Sequence, residues 1–261
     1  MLAALWRFRF FVLTSIVNDF RVRFSRSVLG GLWTILNPLA MVAIYAVVLS
    51  KVLQARIGGV EGEYAFAVYL TAGLLCWNLF NQIVSRALTL FISHGNLIKK
   101  AAFPRTVLPA VLSGTCLVDS LGLMLATMAI YALVGHSLST TMLLVPLLLL
   151  LVAGFAIGLG LLVGVLNVFM RDIGQVVPIV LQLGFWFTPI VYPPTIIPDS
   201  IQPLLLFNPV YYFVSMFHDV LVYTRLPDLS TFAIASALTA LSLLLGLACF
   251  RKANEDLTDA L

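Results

Sequence analysis

Residues 86–109 read RALTLFISHGNLIKKAAFPRTVLP, the one substantial basic island between hydrophobic runs that each look long enough to cross a bilayer. Lys99, Lys100 and Arg105 lie close together there, and Pro104 and Pro109 interrupt any continuous helix. The reading is a short helix, a break and re-entry into the membrane. Cytoplasmic loops carry the excess of Lys and Arg, so this loop is expected to face the cytoplasm and to be pushed by a partner.

Composition agrees. The chain has 261 residues, of which 61% are hydrophobic and only 10% charged, with a mean hydropathy of +1.07. A soluble domain averages about 25% charged residues. One polytopic, all-α transmembrane domain over residues 1–261 is expected, because a span takes roughly 20 apolar residues and little length remains for a folded soluble domain. The formal charge of +4 does not point to nucleic acid, since in a membrane protein the placement of charge decides more than its sum. The N-terminal stretch has arginines inside its apolar segment and no small-residue cleavage site, so it reads as retained rather than as a signal peptide. Cys76, Cys116 and Cys249 fall inside apolar runs and read as small buried hydrophobes.

Taken in order, residues 1–29 form an interfacial helix. Arg7, Thr14, Asn18, Arg21 and Ser25 share one helical face, with Phe, Leu, Val and Ile covering much of the rest. Residues 30–250 form a six-span core, with spans at Leu32–Leu53, Tyr64–Val84, Val107–Val134, about Met142–Met170, Ile173–Val191 and about Leu229–Phe250. Residues 251–261 form a cytoplasmic tail. Six prolines from Pro189 to Pro209 punctuate a segment that stays apolar, and Asn208-Pro209 breaks it, so two short re-entrant half-helices are expected between the fifth and sixth spans. With the N-terminus inside, Arg7, Arg9, Arg21, Arg23, Arg26, Arg86, Lys99, Lys100, Arg105, Arg171, Arg251 and Lys252 lie inside, and only Lys51, Arg56 and Arg225 outside. That asymmetry favours N-in, C-in.

Asp119 is the one ionisable residue deep in a span. It is expected to face another helix or a hydrated cavity, or to be protonated, because no basic residue within the spans offers an evident partner. Gly154-x-x-x-Gly158 and Gly160-x-x-x-Gly164 read as close helix packing, within the chain or to a second copy. Asp219, Arg225 and Asp228 are placed in a surface segment before the last span.

No G-x-x-x-x-G-K-[ST] phosphate loop occurs, so energy must come from a partner or a gradient. Spans almost free of ionisable residues argue against a gradient-driven relay and for an externally powered permease. His94, His136 and His218 are scattered over different predicted loops and read as solvated or capping, with no metal site. An integral-membrane enzyme acting on polyprenyl phosphates needs grouped carboxylates, and Asp172, Asp199, Asp219 and Asp228 form no such set on one side. Trp77, Phe80, Phe185, Trp186, Phe187, Tyr192, Tyr211 and Tyr212 gather toward the predicted outer half of the membrane. Pattern alone leaves two readings open for them, a lining that stacks on sugar rings and an interfacial aromatic belt.

Residues 21–53 (RVRFSRSVLGGLWTILNPLAMVAIYAVVLSKVL), 96–109 (NLIKKAAFPRTVLP), 167–198 (NVFMRDIGQVVPIVLQLGFWFTPIVYPPTIIP) and 204–213 (LLLFNPVYYF) resemble the membrane subunit of polysaccharide-exporting ABC transporters, the type-2 permeases of O-antigen, capsule and teichoic acid export. The resemblance runs from about Asn18 to Phe250 in the same order. It implies a homodimer of six-span subunits in the bacterial inner membrane, with two copies of a separate cytoplasmic ATPase that carries the ATP and Mg²⁺. This chain would be a transport subunit with no cofactor of its own. The implied cargo is an undecaprenyl-pyrophosphate-linked O-antigen-type polysaccharide. A capsule or teichoic acid polymer is the alternative, with a drug or lipid permease behind it. By the same resemblance, Arg21, Arg23 and Arg26 are expected to meet the lipid pyrophosphate at the cytoplasmic entrance. Asn96, Lys99, Lys100, Phe103, Pro104 and Arg105 are expected to dock on the ATPase, and Trp77, Phe80, Phe185, Trp186, Tyr192 and Tyr211 to line the polysaccharide channel.

Overall fold

Backbone polar groups in hydrocarbon must be satisfied within the segment itself, so long apolar runs become helices. In the computed structural model the described residues are 7–24, 30–33, 36, 40, 65–95, 106–134, 136, 139–200 and 202–253. All regular structure among them is helical. The helices are α1 (Arg9–Phe24), α2 (Ala65–Ser93), α3 (Val107–Val134), α4 (Val145–Phe169), α5 (Ile173–Phe187), α6 (Pro209–Leu221) and α7 (Leu229–Ala253). Among the described residues, four stretches are long and apolar enough to cross a membrane: Ala65–Ser93, Val107–Ala132, Thr140–Phe169 and Leu229–Ala253. Most of the expected first span, Leu32–Leu53, lies outside the described residues.

The core is built around α2. It packs against α3, α4, α5 and α6, and 78% of its most apolar window is buried, against 22% for α7 at the periphery. One end of α2 is fastened by hydrogen bonds to three other elements. The Tyr131 hydroxyl of α3 donates to Val68 O at 2.8 Å and lies 2.8 Å from the Thr71 hydroxyl. The Tyr69 hydroxyl reaches Pro189 O and Tyr192 O at 3.2 and 3.1 Å. His218 of α6 stacks on Tyr69 with ring centroids 3.8 Å apart, its Nε2 3.2 Å from Tyr69 O. His218 is therefore buried in a helix, not a solvated loop histidine.

Both glycine pairs of α4 pack inside the chain. A Cβ added at Gly154 would lie 2.8 Å from Thr239 of α7, and one at Gly158 would overlap the Ser242 backbone. On another face of α4, a Cβ at Gly160 would lie 2.7 Å from Ala87 of α2, and one at Gly164 would overlap the Ala87 carbonyl. Small residues let these backbones approach.

Two boundaries differ from expectation. Helix α2 continues nine residues past Val84, to Ser93. Helix α5 stops at Phe187 rather than Val191, because Thr188 precedes Pro189 and takes an extended conformation, ψ 134°. At 15 residues, α5 is about 22 Å long, short of a roughly 30 Å hydrocarbon core. Beyond it come 3₁₀ turns at Pro194–Ile196 and Gln202–Phe207, then α6. Asn208 caps α6 by accepting from Val210 N at 3.0 Å, with Pro209 in its first turn.

Candidate functional site

Helix α1 lies on α3, with Ile16 over Gly114, where an added Cβ would overlap the Ile16 Cδ1. Phe10, Leu13 and Val17 remain exposed, the disposition of a helix that rests at a lipid surface. Between α1 and the α2–α3 pair opens a cleft of about 660 Å³. Its lining mixes Ser15, Asn18 and Asp19 of α1, Arg86, Thr89, Ser93 and His94 from the end of α2, and Thr115 of α3, with apolar side chains between them.

At this cleft the structure corrects the reading of Asp119. Its Oδ2 lies 3.5 Å from the Arg86 guanidinium, with the Asp119 side chain 2% exposed and that of Arg86 36%. Arg86 also donates to Gln82 Oε1 at 3.5 Å. Asp119 thus has a basic partner, one that the expected end of the second span at Val84 had placed in a loop. The continuing helical recurrence of Ile83, Ala87, Leu90 and Phe91, all buried, is the signal that carries the helix past Arg86. Pairing offsets the cost of holding a carboxylate away from water.

Of the expected entrance residues, Arg21 is exposed on α1, Arg23 lies in the same helix, and Arg26 falls outside the described residues. Asn96, Lys99, Lys100, Phe103, Pro104 and Arg105 also fall outside them. Ser93 and His94 before that segment and Val107 and Leu108 after it all line the cleft.

The aromatic residues divide into three groups. Trp77 meets Phe185 edge-on at 5.7 Å, and Phe185 meets Trp186 at 5.3 Å. These three line a shallow groove between α2 and α5. Phe80 lies 5.5 Å from Trp77 and also stacks on Phe155 at 5.8 Å, and Phe155 on Phe213 at 4.9 Å, which carries the aromatic contacts deep into the core. Tyr192 donates to Trp186 O at 2.7 Å, and Tyr211 packs on Tyr212 at 5.6 Å. Beyond them Arg225 donates to Asp219 through Nε at 2.7 Å. Asp219 is buried rather than on the expected surface. Burial raises its pKa, and the Arg225 hydrogen bond and charge oppose that rise.

The sequence profile of the ABC-2 type transporter family matches residues 11–222, from α1 through α6, and so takes in both the cleft and the aromatic groove. The chain belongs to the ABC-2 type transporter family. It is a multi-pass membrane protein. Among ABC-2 relatives, the O-antigen export system permease protein RfbA of Klebsiella pneumoniae is 30% identical over 204 residues, 77% of this chain and 76% of that protein. RfbA of Myxococcus xanthus is 27% identical over 262 residues, 98% and 97% of the two chains. The polysialic acid transport protein KpsM of Escherichia coli is 24% identical over 242 residues, 92% of each.

Proposed function

We propose that this chain is the transmembrane subunit of an ABC transporter that exports a lipid-linked O-antigen-type polysaccharide across the bacterial inner membrane, using ATP hydrolysed by a separate subunit. The observation that carries this reading is the similarity to an O-antigen export permease along almost the full length of both chains. The working unit is a homodimer of six-span subunits, N-in and C-in, with re-entrant segments between the fifth and sixth spans and two ATPase subunits beneath. The substrate's undecaprenyl pyrophosphate enters beside Arg21, Arg23 and Arg26, whose guanidinium groups suit bidentate pairing with phosphate. Phe185, Trp186, Tyr192 and Tyr211 offer ring faces to the sugars, with the buried Trp77 and Phe80 behind them.

ATP binding draws the two ATPases together and moves the docked segments that hold Asn96, Lys99, Lys100, Phe103, Pro104 and Arg105. Each segment joins α2 to α3, so its displacement acts first on the seam where the cleft lies. A ligand or partner shifts such an equilibrium only by its differential affinity for the two states. The test is deletion of the coding sequence in the source bacterium. Surface polymer should be lost, lipid-linked polymer should accumulate in the cytoplasm, and the wild-type chain should restore export. Replacing Lys99, Lys100 and Arg105 together by Ala should abolish co-purification of the ATPase. Normal surface polymer in the deletion strain overturns the reading. A capsule polymer is the second reading, supported by the likeness to a polysialic acid transport protein, and sugar analysis of the trapped polymer distinguishes the two.

A further inference from the structure

The surface that α5 leaves uncovered is largely apolar, with Ile179, Val180 and Leu183 each more than half exposed. One strip departs from this. On α2, Asn81 and Ser85 follow Trp77 at steps of four, and on α5 Gln182 precedes Trp186 by four, so each helix presents a column of aromatic ring and neutral polar group. The two columns line one groove of about 300 Å³. Ser85 and Gln182 are exposed and Asn81 is half-buried. Ser85 Oγ donates to Asn81 Oδ1 at 3.4 Å, which leaves both Asn81 side-chain N–H groups for another acceptor, and the Gln182 side-chain amide makes no hydrogen bond among the described residues. Amides left unsatisfied against lipid tails cost roughly 1–3 kcal/mol each, so this strip is built to face something polar.

We infer that the α2–α5 groove is a hydroxyl-reading strip, and that the polymer which passes it is made of neutral sugars. An amide offers two donors and an acceptor in one plane, which matches vicinal hydroxyls, while Trp186, 53% exposed, takes the C–H faces of the rings and the buried Trp77 backs the groove. Among the described residues that line the groove none is charged. A polymer with a carboxylate on every residue, such as a polysialic acid, therefore finds no counter-charge there, and its desolvation goes uncompensated. The inference rests on the polysaccharide reading given above and narrows its substrate class.

The test uses the full-length chain with its ATPase in the source bacterium. Failure of the wild-type chain to restore surface polymer to the deletion strain sinks the export reading itself, whatever the groove does. Given that restoration, the double variant N81A/Q182A should lower surface polymer about tenfold, the loss expected when polar contacts to substrate are removed, at an unchanged membrane level and with the ATPase still co-purifying. The conservative Gln182→Asn should keep most of the export. Undiminished export by N81A/Q182A overturns the strip. Independently of any variant, acid hydrolysis and sugar analysis of the polymer trapped in the deletion strain should return neutral sugars. A uronic or sialic acid in every repeat overturns the substrate class.

Discussion

The seam between α4 and α7 and the seam between α2 and α3 are made in opposite ways. At the first, Gly246 packs against the Gly158 carbonyl, and the Thr239 and Ser242 hydroxyls donate to Leu151 O and Phe155 O at 3.2 and 2.7 Å. At the glycines backbone meets backbone, with only short hydroxyl side chains bonded between them, so the relative position of the helices is set by sterics. At the second, one end is closed by the Tyr131–Thr71–Val68 cluster, while toward the other the helices are linked by a 3.5 Å ion pair beside a cleft of about 660 Å³. Low contact density and a few exchangeable polar contacts are the marks of an element that moves. The difference separates a scaffold from a working seam, and the segment proposed to dock on the ATPase connects the two helices of the latter in sequence.

The largest effect that tests this contrast should come from the scaffold. Gly158→Leu drives a side chain into the Ser242 backbone and should cost about 3 kcal/mol, the upper end of the overpacking range. Loss of the monodisperse species in detergent would register it, and a normally folded variant would break the claim that this seam cannot yield. Arg86→Ala should cost roughly 2 kcal/mol, below the figure for a fully buried pair because Arg86 is one-third exposed. The double variant Arg86→Met/Asp119→Leu should recover most of that loss, since removing both charges leaves none stranded. If thermal denaturation gave the double variant as less stable than Arg86→Ala, the ion pair would not be what holds this seam. Tyr131→Phe, which deletes one buried hydroxyl between α2 and α3, should cost about 1 kcal/mol. The smallest effect is expected at Arg21→Gln, within about 0.5 kcal/mol on stability, with export reduced if Arg21 meets the lipid pyrophosphate.

Much of this was legible in the residues. Helix α3 occupies Val107–Val134 as read, because its apolar run is interrupted only by Asp119 and Pro109 falls in the first turn, where its missing N–H costs nothing. The glycine motifs were legible too, although only the fold shows that one pair serves α7 and the other α2. The Asp119 partner was not, since Ser85, Arg86 and Thr89 resemble a polar loop until the buried face that continues beside them is counted. The burial of Asp219 was hidden for a related reason. Its partner Arg225 lies six residues on, past the end of α6, and the contact depends on a turn in which Thr224 takes φ 50°.

Spin labels placed at Thr14 of α1 and Thr89 of α2, across the cleft, and at Leu150 of α4 and Leu241 of α7, across the scaffold, test the central contrast most directly. All four positions are exposed. In the assembled transporter, trapping ATP on the ATPase should shift the cleft distance by roughly 2 Å or more, the scale of helix displacements in switching proteins, and leave the scaffold distance unchanged. A scaffold distance that shifts as much as the cleft distance, or a cleft distance that ignores nucleotide, would contradict the account.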